Sequence, residues 1–391
     1  MTEISLGKGD SLRRQDAFAD GALLVHSPKG LNPSERALLN ALPQGRSGAA
    51  LVVNSAEGLA GMALRALNPN LAVHCHFDDA WDLDGAKATV AAHPALAPEL
   101  GIAPDPPEGL WDYIALPLSM TGVKELLRER LAFAAERLKP GGLLFTSTDN
   151  PNDRFLRDEV VELFGSATTV PGPTRRSGVA YIARRPKGLK LRKRPHERTF
   201  TVREGEDILD FVSRPGVFSH GHLDEGTRAL LALAEMGEAK RVLDLGCGAG
   251  VVGVVAARRC PQACVTFVDS YARAIECTRR NIEAHGLAAR CDTLLTANPL
   301  DDLGPGYDLV LTNPPYYGNY RISQMFLDTA AKVLVPGGRI VLVTKGDEWH
   351  RAAMKQLFTA LHGRKDKGYW VFLATQPDLV DGPGACSGQK T

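Results

Sequence analysis

The sequence contains no run approaching the ~18 consecutive apolar residues of a membrane span. Its first stretch, with Glu3, Lys8, Asp10 and Arg13 close together, also lacks the apolar core of a signal segment. Neither insertion into a bilayer nor secretion is expected, and the expected location is the cytoplasm. Net charge is nearly absent: 46 Lys and Arg against 45 Asp and Glu leave +1. No global field therefore draws the chain to nucleic acid, and any such partner has to be argued from local clusters. Paired cysteines are lacking too. Cys75, Cys247, Cys260, Cys264, Cys277, Cys291 and Cys386 are odd in number and scattered, which suits reduced thiols rather than a disulfide framework. Cys260 and Cys264 have no second pair to complete a zinc site, so no metal is expected.

What is present is material for more than one core. At 391 residues, 44% hydrophobic and 23% charged, the chain has the composition of an ordinary folded protein and the length of two or three domains, with two the starting expectation. Short aliphatic runs alternate with longer amphipathic stretches, which predicts β-α units and a largely parallel sheet. In the second half, strands are predicted at Val242–Leu245, Val265–Val268, Tyr307–Thr312 and Arg339–Thr344, with helices at Val251–Arg259, Ala272–His285 and Ile322–Leu334.

The pattern occurs twice. Asp112-Tyr113-Ile114-Ala115-Leu116 is followed, 28 positions after the aspartate, by Pro140-Gly141-Gly142. Asp308-Leu309-Val310-Leu311 is followed at the same offset of 28 by Pro336-Gly337-Gly338. Pro-Gly-Gly alone is a common stop signal after a helix, but equal spacing from matching strands points to two copies of one fold. Where the second copy has Gly246, Gly248 and Gly250, the first has Asn54-Ser55-Ala56-Glu57-Gly58. Where the second has Asn313-Pro314-Pro315-Tyr316, the first has Pro117-Leu118-Ser119-Met120. The first copy is thus expected to keep a fold and to have lost its chemistry.

Between them, Arg184, Arg185, Lys187, Lys190, Arg192, Lys193, Arg194 and Arg198 face the single acid Glu197. The segment reads either as a solvated connector or as an arm that contacts phosphates and gains affinity by counterion release. Residues 381–391 are small and polar and are expected to be disordered.

Val242-Leu243-Asp244-Leu245-Gly246-Cys247-Gly248-Ala249-Gly250 is an apolar strand running into a glycine turn and a helix, the form of a nucleotide-type binding loop. A dinucleotide fold is the obvious competitor. Against it, Gly246-x-Gly248-x-Gly250 is tighter than the turn that accommodates a pyrophosphate, although Gly253 partly supplies that spacing. In addition, the Asp244 carboxylate suits the cationic amino group of S-adenosylmethionine better than a diphosphate. Asp269 ends the next strand, where a carboxylate can accept from both ribose hydroxyls or cap the following helix. Asn298 offers an amide to an adenine edge or simply forms an Asn-Pro turn.

Asn313-Pro314-Pro315-Tyr316 directly follows an apolar strand, at the carboxyl end where open α/β sheets bind ligands. Methylation of an exocyclic amine needs the nitrogen lone pair freed from conjugation and aimed at the methyl donor. The Asn313 oxygen and the Pro314 carbonyl can each accept one N–H from that nitrogen. Pro315 stiffens the turn, and Tyr316 can stack on a planar base. An isolated Asn-Pro-Pro-aromatic turn is weak evidence, but one that follows a glycine loop and an acidic strand end in this order is specific.

Residues 200–345 resemble the class I methyltransferases that modify amino or amide nitrogens. A degenerate copy preceding an active one is similar to the bacterial ribosomal RNA guanine-N2 methyltransferases of the RsmC/RlmG type. Gly216-Val217-Phe218-Ser219-His220-Gly221-His222-Leu223-Asp224 resembles the segment that precedes the first strand in that family and helps close the cofactor pocket. The chain departs in having Tyr316-Tyr317-Gly318-Asn319 where that family usually has phenylalanine and then histidine.

The resemblance implies two tandem Rossmann-like α/β methyltransferase domains: a degenerate copy over 1–185, a basic linker over 186–200, and a catalytic domain over 201–380. Asn313, Pro314, Pro315 and Tyr316 would be catalytic. Asp244, Gly246, Gly248, Gly250, Asp269 and Asn298 would hold S-adenosylmethionine. Tyr316, Tyr317, Arg192, Lys193 and Arg194 would contact ribosomal RNA, with guanine N2 as the acceptor. The alternatives are an acceptor at adenine N6 or a glutamine amide, a non-catalytic RNA-binding or assembly factor, and, more distantly, a dehydrogenase.

Overall fold

The structure is a computed structural model describing residues 1–6, 14–28, 30–118, 124–152, 154–174, 178–189, 196–315 and 320–378. It divides into two compact units. The first is Met1–Glu197 with the short pieces Arg214–Gly216 and Tyr271–Arg273; the second is Arg198–Ser213, Val217–Ser270 and the chain from Ala274 onward.

The first unit carries a seven-stranded sheet of β1 (Gly48–Val53), β2 (Leu71–Phe77), β3 (Glu99–Ile102), β4 (Trp111–Pro117), β5 (Leu138–Thr148), β6 (Thr168–Pro171) and β7 (Val179–Arg184), in the order β3-β2-β1-β4-β5-β7-β6. The second unit carries β8 (Arg241–Leu245), β9 (Cys264–Asp269), β10 (Cys291–Leu295), β11 (Tyr307–Thr312), β12 (Leu334–Thr344), β13 (Thr359–Asp366) and β14 (Tyr369–Thr375), in the order β10-β9-β8-β11-β12-β14-β13. The two orders are the same path, so the expected pair of tandem Rossmann-like units is what the chain forms. In each sheet the first five strands are parallel, and the last-but-one strand in that order pairs antiparallel with both neighbours.

Strands of a parallel sheet are buried on both faces and send alternate residues to opposite cores. β11 shows the consequence: Leu309 and Leu311 enter one core with Val242 and Val341, while Val310 enters the other with Leu243 and Ile340.

The Pro-Gly-Gly segments do more than stop helices. Pro140-Gly141-Gly142 lies inside β5 and Pro336-Gly337-Gly338 inside β12, and each sits at a register shift, between Trp111 and Tyr113 in one copy and between Tyr307 and Leu309 in the other. These are matching bulges. A Cβ on Gly142 would lie 2.9 Å from the Asp112 carbonyl oxygen, and one on Gly338 would lie 3.1 Å from the Tyr307 oxygen, so only glycine passes there. The paired aspartates also match. Asp112 accepts from the Ala49 N–H at 2.9 Å, and Asp308 accepts from the Lys240 and Arg241 N–H groups, both at 2.8 Å.

The expected linker is shorter than 186–200. Arg198–Glu204 is a strand of a hairpin with Asp207–Ser213, because Phe200 and Val202 alternate with polar residues and bury one face, Phe200 stacking on Phe211 at 5.8 Å. Arg184 and Arg185 have structural roles. The Arg184 guanidinium donates to the Gly141 oxygen at 2.8 Å, at the bulge of β5, and that of Arg185 donates to the Ala135 oxygen at 2.7 Å in the helix that precedes the strand. Arg192, Lys193 and Arg194, like residues 381–391, lie outside the described residues.

In the first unit the place of a glycine turn is filled by protein. The Asn54 amide donates to Asp78 at 2.7 Å, the Ser55 hydroxyl donates to Glu35, and the Arg130 guanidinium pairs with Asp78, with both members 3% exposed. Burial pushes the Glu35 carboxyl up to about 7, against the Ser55 and backbone hydrogen bonds that lower it. The strand-end acid that could receive a ligand is neutralised internally. Removing one member of a buried pair strands the other charge, so Arg130→Met should destabilise the protein by about 3–5 kcal/mol. Urea unfolding monitored by circular dichroism checks this; a change within experimental error would show that the pair contributes nothing.

Candidate active site

Two strand ends build the site. Leu245 of β8 is paired with Thr312 of β11, and the Thr312 hydroxyl donates to the Leu245 oxygen at 2.8 Å. The next residues, Gly246 and Asn313, therefore emerge side by side at the carboxyl edge. Gly246, Gly248 and Gly250 have φ of +78°, +57° and +81°, a left-handed path that a side chain would strain. A Cβ on Gly246 would meet Phe326 at 2.9 Å and one on Gly250 would meet Thr278 at 2.9 Å. At Gly248 nothing lies within 4 Å, so this is the open side of the turn. Gly253, the residue that could mimic a dinucleotide loop, packs instead: its Cβ would lie 2.2 Å from the Phe267 ring. It serves the close approach of helix α2 (Val251–Arg259) to β9.

The turn is held by residues not singled out from the sequence. Helix α3 (Ala272–Ala284) carries Thr278, whose hydroxyl donates to the Gly248 oxygen at 3.0 Å, and Asn281, whose amide donates to Ala249 and Val212 at 2.8 and 3.0 Å. In sequence they are two polar positions in an amphipathic helix, and nothing marks them until the turn is folded against them.

Asp244 is buried, 2% exposed, and accepts the Gly253 N–H at 2.8 Å. Burial, reinforced by the nearby Asp269 charge and only partly offset by the Gly253 bond, pushes its carboxyl up to about 7. Burial also raises the Cys247 thiol, with the Asp269 and Asp244 charges adding to the effect. Asp269 accepts the Gly248 N–H at 2.9 Å, which ties the end of β9 to the open position of the turn.

A cleft runs between the turn and the segment Phe218–Asp224. Asp244, Gly246, Cys247, Gly248 and Asn313 line it, together with Phe218, Ser219, His222, Leu223, Asp224 and Thr227. The segment compared above with a pocket-closing element does form a wall. Phe218 presents an apolar ring that is 57% exposed. Two carboxylates and no Lys or Arg are among the described lining residues, so the cleft is electronegative.

Not every expected residue joins this cleft. Gly250 supports the turn and Asp269, half-buried, is bonded to the Gly248 N–H; neither is among the residues that line the cleft. Asn298 is exposed, and its amide donates to Asp301 at 2.6 Å within its own turn, which is the turn reading of that residue. Pro314 is buried and Pro315 half-buried behind Asn313, while Tyr316 and Tyr317 lie outside the described residues.

The Asn313 side chain is half-buried, and its Nδ2 donates to the Asp224 carboxylate and to the Thr227 hydroxyl, both at 3.0 Å. Asp224 also caps helix α1 (Glu225–Leu233) by accepting the Thr227 N–H at 2.9 Å. Among the described residues no group of three or more His, Cys, Asp or Glu could hold a metal, and no helix is long and apolar enough to cross a membrane.

Residues 208–373 match the family model described as Methyltransferase small domain. The chain is 38% identical over 146 residues to ribosomal RNA small subunit methyltransferase C of Hahella chejuensis, covering 36% of this chain and 42% of that protein. It is 31% identical over 242 residues to the protein of the same name from Pseudomonas aeruginosa, covering 61% of this chain and 70% of the relative. Thus the chain spans less than half the length of the Hahella relative but more than two thirds of the Pseudomonas one. Among solved structures, a T. thermophilus 16S rRNA N2 methyltransferase, determined with AdoMet and guanosine, superposes with a TM-score of 0.72 at 23% identity, over 88% of this chain and 92% of that one. The likeness shows a shared fold across both units.

A methyl group at position 253 would collide with the Phe267 ring, so Gly253→Ala should cost about 1–3 kcal/mol by overpacking. Thermal unfolding measures it. An unaltered melting temperature would mean that the α2–β9 contact is looser than its geometry.

Proposed function

The chain belongs to the ribosomal RNA small subunit methyltransferase C family, and on that premise we propose that it is an S-adenosylmethionine-dependent N-methyltransferase acting on guanine N2 of ribosomal RNA. One observation carries the reading: a glycine turn, a buried carboxylate and an amide presented at a strand end share one electronegative cleft.

The residues fit this cofactor. A cationic sulfonium and ammonium are complementary to a cleft with two carboxylates and no described Lys or Arg, whereas a diphosphate would be repelled there. Asp244 and the turn Gly246–Gly250 would hold it, Gly248 admitting close approach and the Phe218 ring covering apolar surface. Asp269, half-buried beside Gly248, is assigned to the ribose of a cofactor that extends along the turn past Gly248. When bound, S-adenosylmethionine supplies an electrophilic methyl carbon, and its sulfur leaves as a neutral thioether.

The protein's part is orientation. Asn313 Oδ1 and the Pro314 carbonyl each accept one N–H of the guanine amine, which turns its lone pair out of conjugation and toward the methyl group. No strong base is needed, since the nitrogen becomes acidic on alkylation and gives its surplus proton to solvent. The base has to leave its stack to enter, at about a few kcal/mol, so unpaired or looped RNA is the easier substrate. Tyr316 and Tyr317 are assigned to stacking on the base. Arg192, Lys193 and Arg194 are assigned to the phosphate backbone, where cation clusters gain affinity by releasing counterions. The first unit, its strand-end acid already paired, is assigned to scaffolding or RNA docking.

Two outcomes are expected. Asn313→Ala should lower methyl transfer to RNA by about 10²–10³-fold, the loss typical of an orienting hydrogen-bond partner, while calorimetry finds cofactor affinity nearly unchanged. Full activity in that variant would remove Asn313 from the reaction, and nucleoside mass analysis of the RNA identifies the modified nitrogen. Secondly, Asp244 is protonated below about 7 in the empty protein, and a bound cation favours its ionised form. Binding therefore releases a proton at low pH, and the Kd for S-adenosylmethionine should rise by about tenfold per unit below that value. Asp244→Asn should abolish this slope; the same slope in the variant would assign it to another group.

A further inference from the structure

Asn313 can accept from an incoming amine only if its oxygen, and not its nitrogen, faces that amine. An amide exchanges the two by a half-turn about one bond, and the two forms have nearly the same shape. Something has to choose between them.

The choice is made from helix α1. Nδ2 of Asn313 lies 3.0 Å from the Asp224 carboxylate and 3.0 Å from the Thr227 hydroxyl, so both of its N–H donors are engaged on one side. An ionised carboxylate only accepts, and the flipped amide would set Oδ1 against a negative oxygen. Because Oδ1 lies across the amide carbon from the Asp224 partner, holding Nδ2 aims the oxygen. The Asp224 oxygen that takes Nδ2 is the same one that takes the Thr227 N–H at 2.9 Å, so the carboxylate is itself immobilised by the first turn of the helix.

We propose that Asp224, with Thr227, is a positioning residue that locks the Asn313 amide in the orientation presenting Oδ1 to the acceptor amine. Its negative charge, acting through the amide, also polarises Oδ1 into a stronger acceptor. The inference rests on the assignment of Asn313 above.

Helix capping is separable from this role. Serine caps a helix about as well as aspartate, but its short hydroxyl can donate as well as accept and does not impose an orientation on Asn313. Asparagine keeps an acceptor at the length of aspartate without the charge, and the Thr227 N–H, which needs an acceptor, turns the asparagine oxygen rather than its nitrogen to the place of the Asp224 oxygen that takes Nδ2. The test uses the full chain with D224S, D224N and T227V.

Three quantities are measured: kcat at saturating RNA and cofactor, the calorimetric Kd for S-adenosylmethionine, and hydrogen exchange of the Asn313 side-chain amide in cofactor-free protein, with asparagine selectively ¹⁵N-labelled and the signal assigned by its loss in N313A. In D224S, kcat at saturating cofactor should fall by about 10²-fold, the scale of a misplaced reacting group, with amide exchange clearly accelerated, over and above any cofactor affinity lost with the cleft carboxylate. D224N should recover at least about a tenth of the lost rate, since a matched acceptor restores geometry.

Unchanged kcat and exchange in D224S would overturn the proposal. So would a loss that D224N does not recover, or one that appears wholly in the cofactor Kd, which would make Asp224 a cofactor ligand. Should D224S fail to fold, T227V, which leaves the cap in place, carries the same test of exchange and kcat. If N313A abolishes transfer while the Asp224 and Thr227 variants do not, only this inference fails; if N313A is fully active, the assignment beneath it fails.

Discussion

The pairing of Leu245 with Thr312 is the constraint on which the site depends. It places Gly246 and Asn313 as the first residues beyond two adjacent parallel strands, so the glycine turn and the amide leave the sheet at one level. A slip of one residue would send every side chain of β11 to the opposite face and move Asn313 away from the turn. The register is secured from both ends. The Thr312 hydroxyl bonds to Leu245 at the carboxyl end, and Asp308 takes the N–H groups of Lys240 and Arg241 at the other. Burial of Leu309, Val310 and Leu311 on both faces makes the slip costly in apolar surface.

The duplicated architecture shows which parts belong to folding and which to chemistry. Both copies keep the strand order, the bulge at Pro-Gly-Gly and the aspartate that caps the entry to the central strand. These features solve a problem of chain geometry that any such sheet faces. The groups that differ are those at the carboxyl edge. In the second unit the edge is left open by glycines around a carboxylate that burial holds near neutrality. In the first, Asn54, Ser55 and Arg130 occupy the equivalent ground and satisfy Asp78 and Glu35 internally. Polar side chains that bond to one another fill much of this edge, although Arg130 Nη1 and His76 Nε2 stay buried without a hydrogen-bond partner among the described residues.

Electrostatics then separates the cofactor classes that a glycine turn alone leaves open. Dinucleotide and sulfonium sites share a strand, a turn and an acid on the following strand. They differ in the charge they must accommodate, and here the cleft is lined by Asp224 and Asp244 without a described cation. The close contact beneath Gly253 explains why a glycine resembling part of a dinucleotide fingerprint stands at that position: it lets α2 lie on the Phe267 ring.

The sequence alone determined the two-copy α/β plan, the glycine turn, Asp244 and the Asn-Pro-Pro corner, because strand periodicity, left-handed turns and strand-end carboxylates are local and leave their mark in neighbouring residues. It also overextended the linker to Phe200, since a short two-stranded hairpin beside a basic run gives little local signal. Only the tertiary structure decided that Asp269 takes the Gly248 N–H, that Asn298 bonds within its own turn, and that Asp224, Thr227, Thr278 and Asn281 support the site. Asp224 and Asn313 are 89 positions apart, and no local pattern encodes a hydrogen bond that exists only once helix α1 and strand β11 are packed together.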